Sequence, residues 1–346
     1  MIGHVLRLTR WEWFKLHRRR MPWILLIIGV AISQLIFWST YAFVQSGGVA
    51  GQSRVSFEAT DTAGETVEIE FTCADFADMR EGELPLDMER FSQEEQQNIA
   101  RNLLQFAENC ESVDEDSNDM RQALLPPNSL LFALASSLAF FGVILMMILA
   151  ASTTGTEYGW GTLRTVLVKG VGRWQLLAAK TLAIGLASVG LSAAVLATVG
   201  VASVIASLTL EGGELVGAGE WSDLAISFGK LIYAYLPYVA LAVLMSVLTS
   251  SSGMGIAIGV GYYVIESIVV GILANFDWFE SFSTFVLGRA SSGWLEIGEF
   301  TIGGGGVGAL PDPLPAAMVM LGYIVILGGL AFVLFQRKDV AGAKGG

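Results

Sequence analysis

The sequence predicts an all-α polytopic membrane protein of six transmembrane helices, with a small α+β extracellular domain between the first helix and the second. Three observations carry this prediction. Of the 346 residues, 53% are hydrophobic and 15% charged, against roughly 25% charged in an ordinary soluble domain, and the mean hydropathy is +0.59. Six stretches reach the length of about 20 apolar residues that a spanning helix needs. The net charge of −12 is concentrated in one segment between the first two stretches. These features exclude a disordered chain, a nucleic-acid-binding protein and most soluble enzymes. Two cysteines and two histidines leave little room for a metal site.

A leader, residues 1–21, comes first. Ile2, Val5, Leu6, Trp13 and Leu16 read as one side of an amphipathic helix, with Arg7, Arg10, Lys15 and Arg18 opposite. The six apolar stretches are Pro22–Val44, Ser129–Thr153, Leu176–Leu208, Leu224–Thr249, Gly253–Ala274 and Ala316–Phe335. The third is long enough to tilt or to extend past the bilayer. The leader, the connection 154–175 with Lys180 just beyond it, and the tail 336–346 together hold 13 of the 20 basic residues but only 3 of the 32 acids. The positive-inside rule therefore predicts cytoplasmic termini.

The segment 45–128 falls outside and holds 19 acids and 5 arginines. Val55, Phe57 and Ala59, then Val67, Ile69 and Phe71, alternate on either side of Asp61–Gly64, which reads as a β-hairpin. Ser92 and Glu95 form a capping-box pattern ahead of a helical stripe of Ile99, Leu103, Phe106 and Cys110,. Cys73 and Cys110 both lie on the side where disulfides persist. A bridge between them is expected, with a loop-closure contribution of roughly 4 kcal/mol; two free buried thiols are the other reading. The acidity either attracts a cationic ligand or keeps a small domain soluble.

The most informative stretch is cytoplasmic: Glu157, Trp160, Gly161, Thr162, Leu163 and Arg164, then Leu167, Lys169, Arg173, Trp174 and Lys180. Trp160, Leu163 and Leu167 share a helical face, and Gly170 and Gly172 interrupt the helix beyond them. Such an amphipathic helix lies on lipid or docks into a groove on a partner. The pattern Glu-x3-Gly-Thr-Leu, a further Leu, then Arg-Trp and a Lys opening the next span, resembles the membrane subunits of type-two ABC exporters. The usual proline after this segment is replaced by Gly170-Val171-Gly172. The resemblance implies a permease in a prokaryotic plasma membrane. It implies a translocation pathway formed with a second copy or a paralogue, and two separate cytoplasmic ABC ATPase subunits as partners. ATP and Mg would be bound by those subunits, with no cofactor in this chain. It also implies that the connection is a coupling helix, with Glu157, Gly161 and Arg173 serving ATPase coupling rather than folding. Glu157 then stands near a helix start, facing a basic residue of the ATPase, and Arg173 reaches a partner carboxylate. The segment 275–315, with Phe276, Trp278, Phe279 and Phe282 before Gly303–Gly306 and three prolines, corresponds to re-entrant helices at the exit gate.

Lys230 and Glu266 are the only charges well inside the predicted spans, and intramembrane charges are usually paired or functional. An antiparallel hairpin about Ser251 offsets them by roughly 9 Å at about 1.5 Å per residue, within reach of each other, so they read as a Lys230–Glu266 pair or as part of a substrate site. Tyr233 and Tyr262 either line a pathway or pack within the bundle, as do Tyr235, Tyr238 and Tyr263. Gly253, Gly255, Gly259 and Gly261 allow close helix contact. No phosphate-cradling GxxxxGK loop, HExxH or GxSxG motif occurs,, so intrinsic catalysis is not expected. Two rival classes remain on residues alone. One is a membrane receptor or sensor with an acidic extracellular ligand-binding domain, and the other an intramembrane enzyme using Glu266.

Overall fold

The structure is a computed structural model that describes residues 2–46, 54–60, 66–72, 91–92, 99, 101, 120–159, 168, 172–209, 219–273, 276, 279, 282–296 and 310–338. In chain order these form α1 (Ile2–Arg18), α2 (Arg20–Gln45), β1 (Arg54–Thr60), β2 (Thr66–Thr72), α3 (Asn128–Gly159), α4 (Arg173–Ser207), α5 (Gly219–Thr249), α6 (Ser252–Leu273), α7 (Leu287–Leu295) and α8 (Pro313–Arg337). Six of them, namely α2, α3, α4, α5 from Trp221, α6 and α8, are long and apolar enough to cross a membrane. Each overlaps one of the apolar stretches read from the sequence.

The chain divides into two compact units. One comprises Met1–Gln34, Leu130–Val201 and Gly217–Gly346. At its centre α5 packs against α3, α6 and α8, around the fully buried Met147, Leu149, Tyr235, Tyr238 and Ala242. Pro237 lies inside α5 and removes one backbone hydrogen bond there. Residues Leu134–Gly142 of α3 wind as a π-helix. The Tyr235 hydroxyl donates to the Leu138 carbonyl at 2.8 Å and fills the space where a Cβ at Gly142 would stand. The turn between α5 and α6 is Ser250–Ser251, with Ser250 at φ 55. Across it Gly255 lies against Ser246 and Gly259 against Ala242. Two of the four predicted contact glycines thus join helices within the subunit, while a Cβ at Gly261 would meet nothing within 4 Å.

The second unit comprises Leu35–Ser129 and Ala202–Val216. It contains the predicted hairpin: β1 and β2 pair antiparallel, with Val55 opposite Phe71, Phe57 opposite Ile69 and Ala59 opposite Val67. The alternation in sequence sets this register, because a one-residue slip would turn the apolar set to the other face. Ile99 is helical and buried, and Phe91 and Leu124 are buried outside helices. The Tyr41 hydroxyl bonds the Thr209 hydroxyl at 2.8 Å. The described residues of this unit form a hairpin among helical segments and do not by themselves make up an α+β domain. Leu103, Phe106, Glu95 and both cysteines of the expected Cys73–Cys110 bridge lie outside the described residues.

Candidate functional site

α1 is amphipathic, and its protein-facing side takes only part of the apolar side read from the sequence. Thr9, Glu12 and Leu16 are buried, with Val5 half-buried, whereas Leu6, Trp11, Trp13 and Phe14 are exposed. The buried positions recur at intervals of three to four residues, so this is one helical face. The exposed aromatic and aliphatic face suits an interfacial helix lying on lipid. Lys15 lies over the Trp11 ring at 4.0 Å and Arg18 over the Phe14 ring at 4.6 Å, which anchors their charges at that surface.

Glu12 faces inward because a ring of charge awaits it. Lys15 lies 2.5 Å from Glu12 and 2.9 Å from Glu157. Lys180 lies 2.7 Å from Glu157 and 3.5 Å from Glu12. Two acids and two lysines therefore alternate in a closed, net-neutral ring drawn from α1, the last turn of α3 and the second turn of α4. Glu12 is 4% exposed, Glu157 3% and Lys180 3%, so salt screens the ring little. Lys180 also donates to the Thr153 carbonyl at 3.3 Å, and Arg19 donates to the Thr156 hydroxyl at 3.0 Å. Both ends of the 160–172 connection are thereby tied to the N-terminal helix.

This placement corrects one expectation. Glu157 does not open a helix but stands in the last turn of α3, which runs on to Gly159. A carboxylate is disfavoured at a helix C-terminus, and the two ammonium groups offset that. The partners it has among the described residues, Lys15 and Lys180, lie in this chain. Arg173 likewise spans to its own chain: one guanidinium nitrogen donates to the Gln336 and Lys338 carbonyls, each at 2.8 Å. It satisfies the open carbonyl end of α8, where a cation is favoured. Trp174 is exposed on the first turn of α4. Trp160, Gly161, Thr162, Leu163, Arg164, Leu167 and Lys169 lie outside the described residues.

The expected Lys230–Glu266 pair is not formed; each charge has another partner. Glu266 of α6 accepts from the Gly288 N–H at 2.9 Å and from the Tyr262 hydroxyl at 3.2 Å. Lys230 of α5 pairs with Glu296, the residue that terminates α7 at φ 56. The two charges thus hold opposite ends of the nine-residue helix α7, a carboxylate at its N-terminus and an ammonium beside its C-terminus, as the helix dipole favours. The cap residue Val286 has no side-chain acceptor, so Glu266 supplies the missing one from a neighbouring helix. A Cβ at Gly288 would stand in ordinary contact with the Glu266 carboxyl carbon, at 3.4 Å. The Trp294 indole donates to the Lys230 carbonyl at 3.0 Å. Tyr233 packs edge-on against Trp294 and donates to the Ala317 carbonyl at 2.9 Å, so it joins α5 to α7 and α8, whereas the Tyr262 bond to Glu266 lies within α6. No sequence signal placed α7 between the two charges.

Glu266→Leu should remove the cap, costing about 1–2 kcal/mol, and speed hydrogen exchange over residues 287–291. Glu266→Gln, whose amide oxygen still accepts, should keep most of the protection. Equal exchange in the two variants would show that the carboxylate charge acts otherwise than as a cap.

Six apolar helices of spanning length, with internal charges that pair with one another or cap helices, define a multi-pass membrane protein. Among the described residues no cluster of three or more metal-ligating side chains occurs. The family model described as ABC-2 family transporter protein matches residues 7–297, from within α1 through the charge ring and past α7. The chain belongs to that family of membrane transport components. Comparison with curated proteins and with solved structures gave no match.

Proposed function

We propose that the chain is the permease subunit of an ATP-driven exporter. Two permease subunits form the pathway, and each seats its 160–172 connection on a separate cytoplasmic ATPase. The observation that carries this reading is the buried ring of Glu12, Lys15, Glu157 and Lys180. A loop that only obeyed the positive-inside rule would need no such clamp at its base. A loop that transmits force needs both of its ends fixed to the helices it moves, and the ring ties α1, α3 and α4 into one body. Displacement at the loop then reaches α3 and α4 together. ATP binding drives the change only insofar as the ATPase binds the two states of the permease with different affinity.

On this reading Trp160, Gly161, Thr162, Leu163 and Arg164 make the ATPase contact, and Glu157 and Arg173 position it from behind. The termini are cytoplasmic, ATP and Mg reside on the ATPase, and the hairpin unit is extracellular. A Cys73–Cys110 bridge within that unit remains part of the proposal. α7, held by Glu266 and Lys230, is the inner element of the exit gate. A photo-crosslinker at Leu163 tests the reading by what it labels: a separate ABC ATPase, or lipid alone, which would leave the loop an interfacial anchor.

A further inference from the structure

α4, α5 and α8 leave between them an apolar groove of about 330 Å³. Gly185 and Ser188 of α4, Tyr235 and Val239 of α5, and Gly328 and Phe332 of α8 line it. A Cβ at Gly185, Gly328 or Gly329 would meet nothing within 4 Å, so the glycines set the width of an open space rather than a close helix contact. The polar atoms on its walls are already bonded. Thr181 donates to the Leu177 carbonyl at 3.1 Å, Ser188 to Ile184 at 3.0 Å and Tyr235 to Leu138 at 2.8 Å. Nothing in the groove selects a polar ligand; its walls suit hydrocarbon.

The end of this three-helix face nearest the chain termini is cationic. Arg173 straps α4 to α8 through the Gln336 and Lys338 carbonyls. Lys338 straps α8 to α5 through the Val247 and Leu248 carbonyls, each at 2.7 Å. Both charges meet only neutral acceptors among the described residues, and desolvation already lowers the Lys338 pKa. Gly185 lies twelve residues beyond Arg173 along α4, about 18 Å at 1.5 Å per residue. Thr181, at the near end of the groove, is only eight residues from Arg173, about 12 Å by the same rise. One leaflet of a roughly 30 Å hydrocarbon core is about 15 Å deep, so an acyl chain from a headgroup at the strap reaches into the groove. Trp174, exposed and spaced seven residues from Thr181 on the same helix face, supplies an interfacial aromatic between them.

We propose that this face binds one anionic phospholipid of the leaflet on the side of the chain termini, with an acyl chain in the groove and the phosphate headgroup at Arg173 and Lys338. A helix of a second copy would fill the groove but leave both cations unmatched; a lipid meets both needs at once. Two basic residues near a membrane surface favour an anionic over a zwitterionic headgroup by about tenfold or more.

The test uses the full-length chain, delipidated in mild detergent and titrated with phosphatidylglycerol or phosphatidylcholine under native mass spectrometry. One phosphatidylglycerol per chain should be retained, about tenfold more tightly than phosphatidylcholine. Gly328→Leu and Gly185→Leu, which fill the groove from opposite walls, should each remove that retention while the chain stays helical. Arg173→Gln with Lys338→Gln should equalise the two lipids. Equal retention of both lipids by the unmodified chain overturns the proposal, and this result does not depend on any variant folding. Phosphatidylglycerol retention undiminished by both glycine variants also overturns it, as does crosslinking of a cysteine at position 328 to a second copy with exclusion of lipid.

Discussion

Lys180→Met should destabilise the chain by about 3–5 kcal/mol, because it leaves buried acid without its partner. Lys180 is the most deeply buried cation of the ring, 3% exposed, and contacts both Glu12 and Glu157. Glu157→Met should cost a similar amount by orphaning the two lysines. The double variant should be milder than either single change, since Glu12 and Lys15, 2.5 Å apart, still neutralise each other and two methionines fill the vacated volume. A coupling free energy of more than about 1 kcal/mol in thermal melts of the detergent-solubilised chain is expected. Additive effects would mean that the ring does not act as a unit. Loss of transport with unchanged melting in either single variant would mean that Glu157 meets an outside partner after all.

Gly155→Ala should be nearly as damaging with one methyl group. A Cβ at Gly155 would stand 2.4 Å from the Ser252 Cα and backbone nitrogen and 2.8 Å from the Ser251 carbonyl carbon. These are backbone atoms of the α5–α6 turn and cannot rotate aside. Overpacking of this kind costs about 1–3 kcal/mol and occasionally more, and the upper end is expected here. Gly159, four residues on, faces open space. Gly159→Ala should therefore be neutral or gain up to about 1 kcal/mol from helix propensity. Folded yield by fluorescence-detected size exclusion separates the two; equal yields would refute the close packing of α3 against that turn.

The features a bilayer imposes were legible, because length and hydropathy are its conditions on a helix. All six spanning helices and the turn at Ser250–Ser251 follow from such patterns, and the β1–β2 register follows from strict alternation. What hydropathy cannot distinguish is lipid from protein, since lipid tails are as apolar as leucine. The leader shows this most clearly. Its apolar side divides between the two: Leu16 is buried, Leu6 and Trp13 are exposed, and the buried face carries Glu12. Lys230 and Glu266 stand out in the sequence as intramembrane charges, but depth arithmetic in a two-helix hairpin omits any third element. Helix α7, nine residues long, falls in that omission and takes both. For Glu157, the apolar stretch ends at Thr153 and so placed it at the start of a new segment, whereas α3 continues to Gly159.

The central claim is that the 160–172 connection is a force-bearing contact clamped at its base. A photo-crosslinking residue at Leu163 in native membranes tests it most directly, with the same probe at Leu6, on the exposed face of α1, as the lipid-facing control. The account predicts that Leu163 labels a separate ABC ATPase subunit, that the yield changes when non-hydrolysable ATP is added, and that Leu6 labels chiefly lipid. Lipid adducts alone from Leu163, indistinguishable from those at Leu6 with and without nucleotide, would contradict it.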